Sequence, residues 1–281
     1  MTGPAVNKAD RRRLIIHAGV QKTGTTSLQR HLQRNAGVLA DRLVILTPKE
    51  GSPMRPLGRA AIAFSLRQTP DTEDALRLAI SDLLDSIPDN GLPVLLSHEN
   101  IAGAMPGNGG ETRLFPVMPR IIGLLAGLAG GFAPDLVIYT RNMNHWRPSV
   151  WAQAVRTDGY TEPLQTFMDE TASLPGWGEL TRRLAGVSGV AQVTRFRLED
   201  EADPLRPGRQ LLAHAGLSAP EIDALEPLDA PSMERLSDSS TEFLRRLNGL
   251  ALNPHARDKV ADLVSRNQPL FNADYRPAGT L

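Results

Sequence analysis

The segment Gly19-Val-Gln-Lys-Thr-Gly-Thr-Thr26 gathers what a chain needs to hold an anion: two glycines, one lysine and a run of hydroxyls that continues into Ser27. Glycine lets the backbone curl until its N–H groups point at one spot, and a helix that starts at the end of the curl adds its positive end. Lys22 supplies a full charge, and Thr23, Thr25, Thr26 and Ser27 supply further donors around Gly24. The Gly19-x4-Gly24 spacing is that of a Walker A loop, but Thr25-Thr26 stand where Lys-Ser/Thr is required. The lysine has moved inside the loop, which disfavours an ordinary ATP or GTP hydrolase. A second cluster, Ser97-His-Glu-Asn100, offers His98 and Glu99 as general bases. Strand alternation puts the two on opposite faces, so only one of them faces a substrate directly. A glutamate in that role needs a raised pKa or close contact with the group it deprotonates.

These residues need rigid elements behind them. Leu14–Ile16 reads as a buried strand running into the glycine loop, and Ser27–Leu39 has helical spacing after it. Further strands are expected at Arg42–Leu46, Val94–Ser97, Asp135–Thr140 and Ala191–Phe196. Helices are expected at Arg59–Arg67, at Thr72–Ser86 with Thr72 as its cap, after Pro119, and from Arg147–Pro148 onward. Strands alternating with helices imply an α/β fold: three layers, a mostly parallel sheet flanked by helices, and a helical C-terminal third. No repeat, heptad run or linker stands out, so residues 1–281 read as a single domain with a flexible N-terminus over 1–12. In such sheets ligands bind at the carboxyl ends of the strands, and both polar clusters follow strands.

The balance of 31 Lys+Arg against 31 Asp+Glu argues against bulk nucleic acid or an anionic membrane as the main partner. The complete lack of cysteine removes disulfides, thiolate metal sites and cysteine nucleophiles, and fits a reducing compartment. The apolar run after Arg11-Arg12-Arg13 is shorter than the about 7–15 residues of a signal core. The longest apolar stretch, Ile121–Ala133, falls short of the roughly 18 residues of a membrane span. A cytoplasmic protein is expected.

Lys22-Thr-Gly-Thr-Thr-Ser-Leu-Gln29 resembles the 5′-phosphosulfate loop of the sulfotransferases that use 3′-phosphoadenosine-5′-phosphosulfate (PAPS), in the wording of their bacterial members. The resemblance implies a P-loop-like fold, PAPS as co-substrate and no metal requirement. It also implies that Lys22 compensates charge near the leaving phosphate. In that family an arginine just after a strand and a serine eight positions later bind the 3′-phosphate, and Arg141 and Ser149 have that spacing. Guanidinium forks suit phosphate oxygens and a helix-start hydroxyl adds a donor. Where the family often continues with Asp-Pro, this chain has Asn142-Met143. Read alone, Arg141 suits a surface ion pair and Ser149 a helix cap. Ser97-His-Glu-Asn100 looks like the family's Ser-x-Glu-Asn wording, which favours Glu99 over His98 as base. Gly103–Gly110 is expected to be a mobile acceptor loop, and Arg113, Arg147 and Arg156 are candidates to meet an anionic acceptor. Arg235 and Arg266 are late-chain candidates for a further nucleotide contact. The implied activity is sulfuryl transfer to a hydroxyl or amine of a carbohydrate or small molecule. A small-molecule P-loop kinase and a non-catalytic nucleotide-binding protein are the alternatives, and the oligomeric state is open.

Overall fold

Leu14, Ile15 and Ile16 are completely buried because β1 (Arg12–His17) is the middle strand of a five-stranded sheet. The computed structural model describes residues 11–230 and 236–271. The strand order is β2 (Val44–Leu46), β3 (Val94–Ser97), β1, β4 (Phe132–Thr140), β5 (Gln192–Arg197). Every pairing is parallel, with Ile15 beside Leu95 on one side and Asp135 on the other. A parallel sheet covered on both faces explains why its inner strands read as unbroken apolar runs.

The helices are α1 (Thr25–Arg34), α2 (Ala36–Leu39), α3 (Met54–Arg67), α4 (Pro70–Asp85), α5 (Met118–Leu128) and α6 (Met143–Thr157). They continue as α7 (Leu164–Glu170), α8 (Trp177–Ala185), α9 (Arg209–His214), α10 (Ala219–Asp223), α11 (Asp238–Asn248) and α12 (Pro254–Arg266). The chain divides into two units. The first takes the described parts of 1–104, 114–142 and 175–232, and so holds the whole sheet. The second takes those of 105–113, 143–174 and 233–281, and holds α6, α7, α11 and α12.

In the first unit, Ile15, Leu95, Val137 and Tyr139 form one face of the sheet. They pack on Leu28 and Leu32 of α1, Leu39 of α2 and Leu211 and Leu212 of α9. Leu14, Ile16, Leu96, Leu136 and Ile138 alternate with them and are equally buried on the other face. Arg13 and His214 both hold Asp135 Oδ2, at 2.6 Å and 2.8 Å, and tie the end of α9 to the sheet.

Three sequence expectations change here. The strand begins at Arg12, whose guanidinium donates to the Pro88 carbonyl at 2.7 Å and Asn90 Oδ1 at 2.9 Å, so 11–12 do not belong with a flexible N-terminus. Residues 1–10 lie outside the described residues. Helix α4 is capped by Thr69, not Thr72: Thr69 Oγ1 accepts from Thr72 N at 3.3 Å and Thr72 Oγ1 from Thr69 N at 3.0 Å. Helix α6 starts at Met143, so Pro148 lies inside it rather than in its first turn. The helix tolerates the one missing N–H.

From β1 the chain turns to β2 on one side, and from β4 to β5 on the other. The carboxyl ends of β1 and β4 therefore flank the switch point, where open α/β sheets bind ligands. The segment after β1 is the glycine loop, and the residue after β4 is Arg141.

Candidate functional site

The loop from Ala18 to Gly24 turns back through two left-handed residues, Lys22 with φ 67° and Gly24 with φ 82°. Such a backbone suits glycine but is strained at lysine, a strain that characteristically sits at functional sites. Gly24 is the N-cap of α1, no side chain caps the helix, and its first turn carries no acidic residue. Helix α4, by contrast, has a capping box and Asp71 and Glu73 in its first turn. The positive end of α1 is thus left uncompensated at the switch point.

Two buried polar atoms converge on this loop without a hydrogen-bond partner among the described residues: Thr25 Oγ1 and His17 Nε2. Thr25 is 5% exposed and His17 not at all. Both flank Gly19, where a Cβ would stand 2.4 Å from Thr25 Oγ1 and 2.9 Å from His17 Nε2. Only a glycine there lets the two side chains stand this close to the backbone. A stranded buried polar atom costs about 1–3 kcal/mol, so two of them against one glycine leave this loop with polar groups unsatisfied.

The other hydroxyls differ. Thr23 Oγ1 donates to the Val20 carbonyl at 2.5 Å, so its single hydrogen holds the loop together instead of facing an anion. Thr26 and Ser27 are half-buried on the first turn of α1. Lys22 is half-buried within the curl.

Behind the loop runs a buried polar chain that sequence reasoning did not assemble. Ser97 Oγ lies 2.9 Å from His17 Nδ1. Gln29 Nε2 donates to the Ser97 carbonyl and to Glu99 Oε2, both at 3.1 Å. Ser97 is fully buried, so its hydroxyl hydrogen must find an acceptor, and His17 Nδ1 is the one beside it. That assignment leaves the imidazole hydrogen on Nε2, the atom next to Gly19.

Burial lowers the His17 pKa from 6.5 to about 4, although the Glu99 charge pulls it upward, so the ring is neutral at physiological pH. The folded form resists protonation more than the unfolded chain does. The associated stability is complete above pH 6.5 and is lost as the pH falls from 6.5 towards 4. The loss amounts to about 3 kcal/mol. Urea unfolding of wild type and His17→Gln across that window is the measurement, and the mutant is expected to show a visibly flatter fall.

Glu99 and His98 are not on opposite faces. The strand ends at Ser97, and the chain turns into a short 3₁₀ helix over Glu99–Ala102 with His98 as its cap. Alternation stops where the strand stops, and His98 Nδ1 lies 3.5 Å from Glu99 Oε2 and 3.4 Å from Asn100 N. The other His98 nitrogen abuts Gly58 of α3, where a Cβ would stand 2.0 Å away. His98 is 5% exposed and its ring is used structurally. Burial pushes the Glu99 carboxyl up, but the bond and charge of His98 and the Gln29 amide outweigh it and hold the carboxyl below the usual range. Glu99 is therefore an ionised acceptor at neutral pH.

Arg141 is fixed through its backbone: its carbonyl accepts from Trp177 Nε1 at 2.7 Å, and Asn142 N donates to Glu199 Oε1 at 2.7 Å. Glu199 is pushed up by its partial burial, but the Asn142 N–H and the charges of Arg197 and Arg141 hold its carboxyl below the usual range. The register sets Arg197 beside Thr140, one residue before Arg141. Arg197 and Glu199 were not singled out from the sequence, because only strand pairing brings them to this spot.

Ser149 belongs to the second unit, on α6. It sits two turns into that helix and is not a helix-start hydroxyl. Arg113 pairs with Glu111 at 2.9 Å, and Arg147 donates to the carbonyls of Met168 and Thr171 at 3.3 Å and 3.2 Å. Arg156 lies in the last turn of α6, and Arg266 pairs with Asp262 at 2.7 Å on α12. Arg235 lies outside the described residues. The expected mobile segment is anchored over its first half: Gly103–Gly107 is buried, Gln21 Nε2 donates to the Gly103 carbonyl at 3.0 Å, and Ala104 N donates to Ser65 Oγ at 2.8 Å. Only Gly109 and Gly110 at its end are exposed.

Among the described residues no group of three or more His, Cys, Asp or Glu side chains is placed to hold a metal ion, and no helix is long and apolar enough to cross a membrane. No family model matches the chain, and no curated protein matches it. A solved structure that does resemble it is the crystal structure of a sulfotransferase from Alicyclobacillus acidocaldarius, 17% identical, covering 89% of this chain and 95% of that one with a TM-score of 0.41.

Proposed function

We propose that the chain is a PAPS-dependent sulfotransferase acting on a hydroxyl or amine of a carbohydrate or small molecule. The observation that carries this reading is the pair of buried polar atoms packed against Gly19, Thr25 Oγ1 and His17 Nε2, which have no hydrogen-bond partner among the described residues and sit at the start of α1, where no side chain caps the helix. When bound, the sulfated nucleotide supplies an activated sulfuryl group, which leaves its 5′-phosphate for the acceptor atom as adenosine 3′,5′-bisphosphate is released. The residues present suit that group. The α1 N–H groups, the Thr25 hydroxyl and the His17 N–H donate to the phosphate, and Lys22 balances charge on the bridging oxygen. Thr26 and Ser27 add donors at the first turn, and Thr23 and Gly24 shape the loop. Glu99, ionised and at the end of β3, takes the acceptor's proton, with His98 holding its position. Arg141 takes the 3′-phosphate, exchanging the influence of Glu199 for the ligand's charge; the same role for Ser149 rests on its spacing in the sequence alone.

Calorimetric titration with adenosine 3′,5′-bisphosphate and with ATP tests this. The bisphosphate is expected to bind at least about tenfold more tightly than ATP, since one phosphate contact of this kind contributes about 1.5–3 kcal/mol. Arg141→Ala is expected to weaken it more than Ser149→Ala. Equal affinity for ATP, or magnesium-dependent ATP consumption, would reveal a kinase instead. Unchanged affinity in the arginine variant would remove the 3′-phosphate assignment.

A further inference from the structure

We propose that Gln29 is a positioning residue that couples the anion loop to Glu99: from α1 its amide holds Glu99 Oε2, and so turns Oε1 towards the acceptor. The inference rests on the reading of Glu99 as the base. Thr25 and Gln29 are four residues apart on one helix, so they share a face. One end of that face sets a hydroxyl against Gly19, and the next turn presents an amide to the carboxylate. Both hydrogens of the amide are used, one on the Ser97 carbonyl and one on Glu99 Oε2, each at 3.1 Å. Gln29 is 6% exposed and therefore has no water to trade for these partners. The amide also bears on the last residue of β3, so one side chain of α1 bridges the strand end and the carboxylate. Any ligand that seats α1 thereby sets the orientation of the base.

Two titratable groups act on Glu99 among the described residues: His98, from the turn that carries both, and His17, from β1. Neither reaches from α1, so the amide is the link between that helix and the carboxylate.

The test needs no acceptor. In wild-type protein the side-chain amide resonance of Gln29, assigned by its loss in Gln29→Met, is followed against pH beside the ¹³C-labelled carboxyl of Glu99, assigned by Glu99→Gln. The two signals are expected to move with one shared midpoint, and the amide step is expected to vanish in Glu99→Gln. In Gln29→Met, which keeps the volume, the Glu99 midpoint is expected to rise, because a donor to its charged form is gone. In Gln29→Glu it is expected to rise further, because two carboxylates then share the site. An amide that does not sense the Glu99 titration in the wild type overturns the proposal, whatever the variants do. Failure of adenosine 3′,5′-bisphosphate to bind, with the shared midpoint intact, would overturn the proposed function and leave the coupling standing.

Discussion

Lys22→Ala is expected to lower turnover by about a thousandfold while weakening nucleotide binding by no more than about tenfold, since a group aimed at charge that develops in the transition state acts mainly on rate. Release of adenosine 3′,5′-bisphosphate from PAPS, with 4-nitrophenol as probe acceptor, reads the first effect and calorimetry the second. The backbone supplies a control. Lys22 holds a φ of 67°, a conformation that glycine adopts without cost and other residues do not. Lys22→Gly is therefore expected to be more stable than Lys22→Ala by about 1 kcal/mol, yet equally inactive. If turnover followed stability across the two variants, the lysine would be a structural residue. Retention of most of the activity in either one would sink the assignment of Lys22 to the leaving group.

The parts of this site that are legible in the sequence are those built from neighbours along the chain. Val94–Ser97 is a strand with the expected bounds because it is a short apolar run after a Gly-Leu-Pro turn and is buried on both faces. The curl at 19–24 could be read because glycine spacing and the start of a helix are local signals. What escaped is what only folding brings together. His17 at the end of β1 and Thr25 at the start of α1 meet against Gly19. A residue list gives them no common role. Gln29 carried a faint signal, its i, i+4 relation to Thr25, but its partner Glu99 is seventy residues away. Arg197 and Glu199 reach Arg141 and Asn142 only through the register of β4 with β5. The expectations that changed have local causes too. Proline rules put the start of α6 at Pro148, whereas the helix already runs from Met143. Strand alternation was carried two residues past the end of β3, which separated two side chains that the turn brings to 3.5 Å.

Gly19→Ala crowds His17 and Thr25 with a single methyl group and should cost nucleotide binding about a hundredfold or more. The added Cβ would lie 2.4 Å from Thr25 Oγ1 and 2.9 Å from His17 Nε2, well inside contact distance. One of the two side chains must therefore give way. His17 is the less able to move: it is fully buried, its Nδ1 is held at 2.9 Å by Ser97, and its ring stands edge-on to Tyr139 at 5.3 Å. Thr25 is the first residue of α1, so shifting it tilts the helix start and the N–H groups that go with it. Displacing two donors to a charged ligand, each contributing about 1.5–3 kcal/mol, accounts for the expected loss. Overpacking of this kind also lowers stability by about 1–3 kcal/mol, which thermal unfolding without ligand measures separately. Binding and stability should therefore part company when the bisphosphate is added. Wild type is expected to gain several degrees in unfolding temperature and Gly19→Ala almost none. An alanine variant that the nucleotide stabilises as strongly as wild type would mean that the anion sits elsewhere, and that the two partnerless atoms at Gly19 serve some other end.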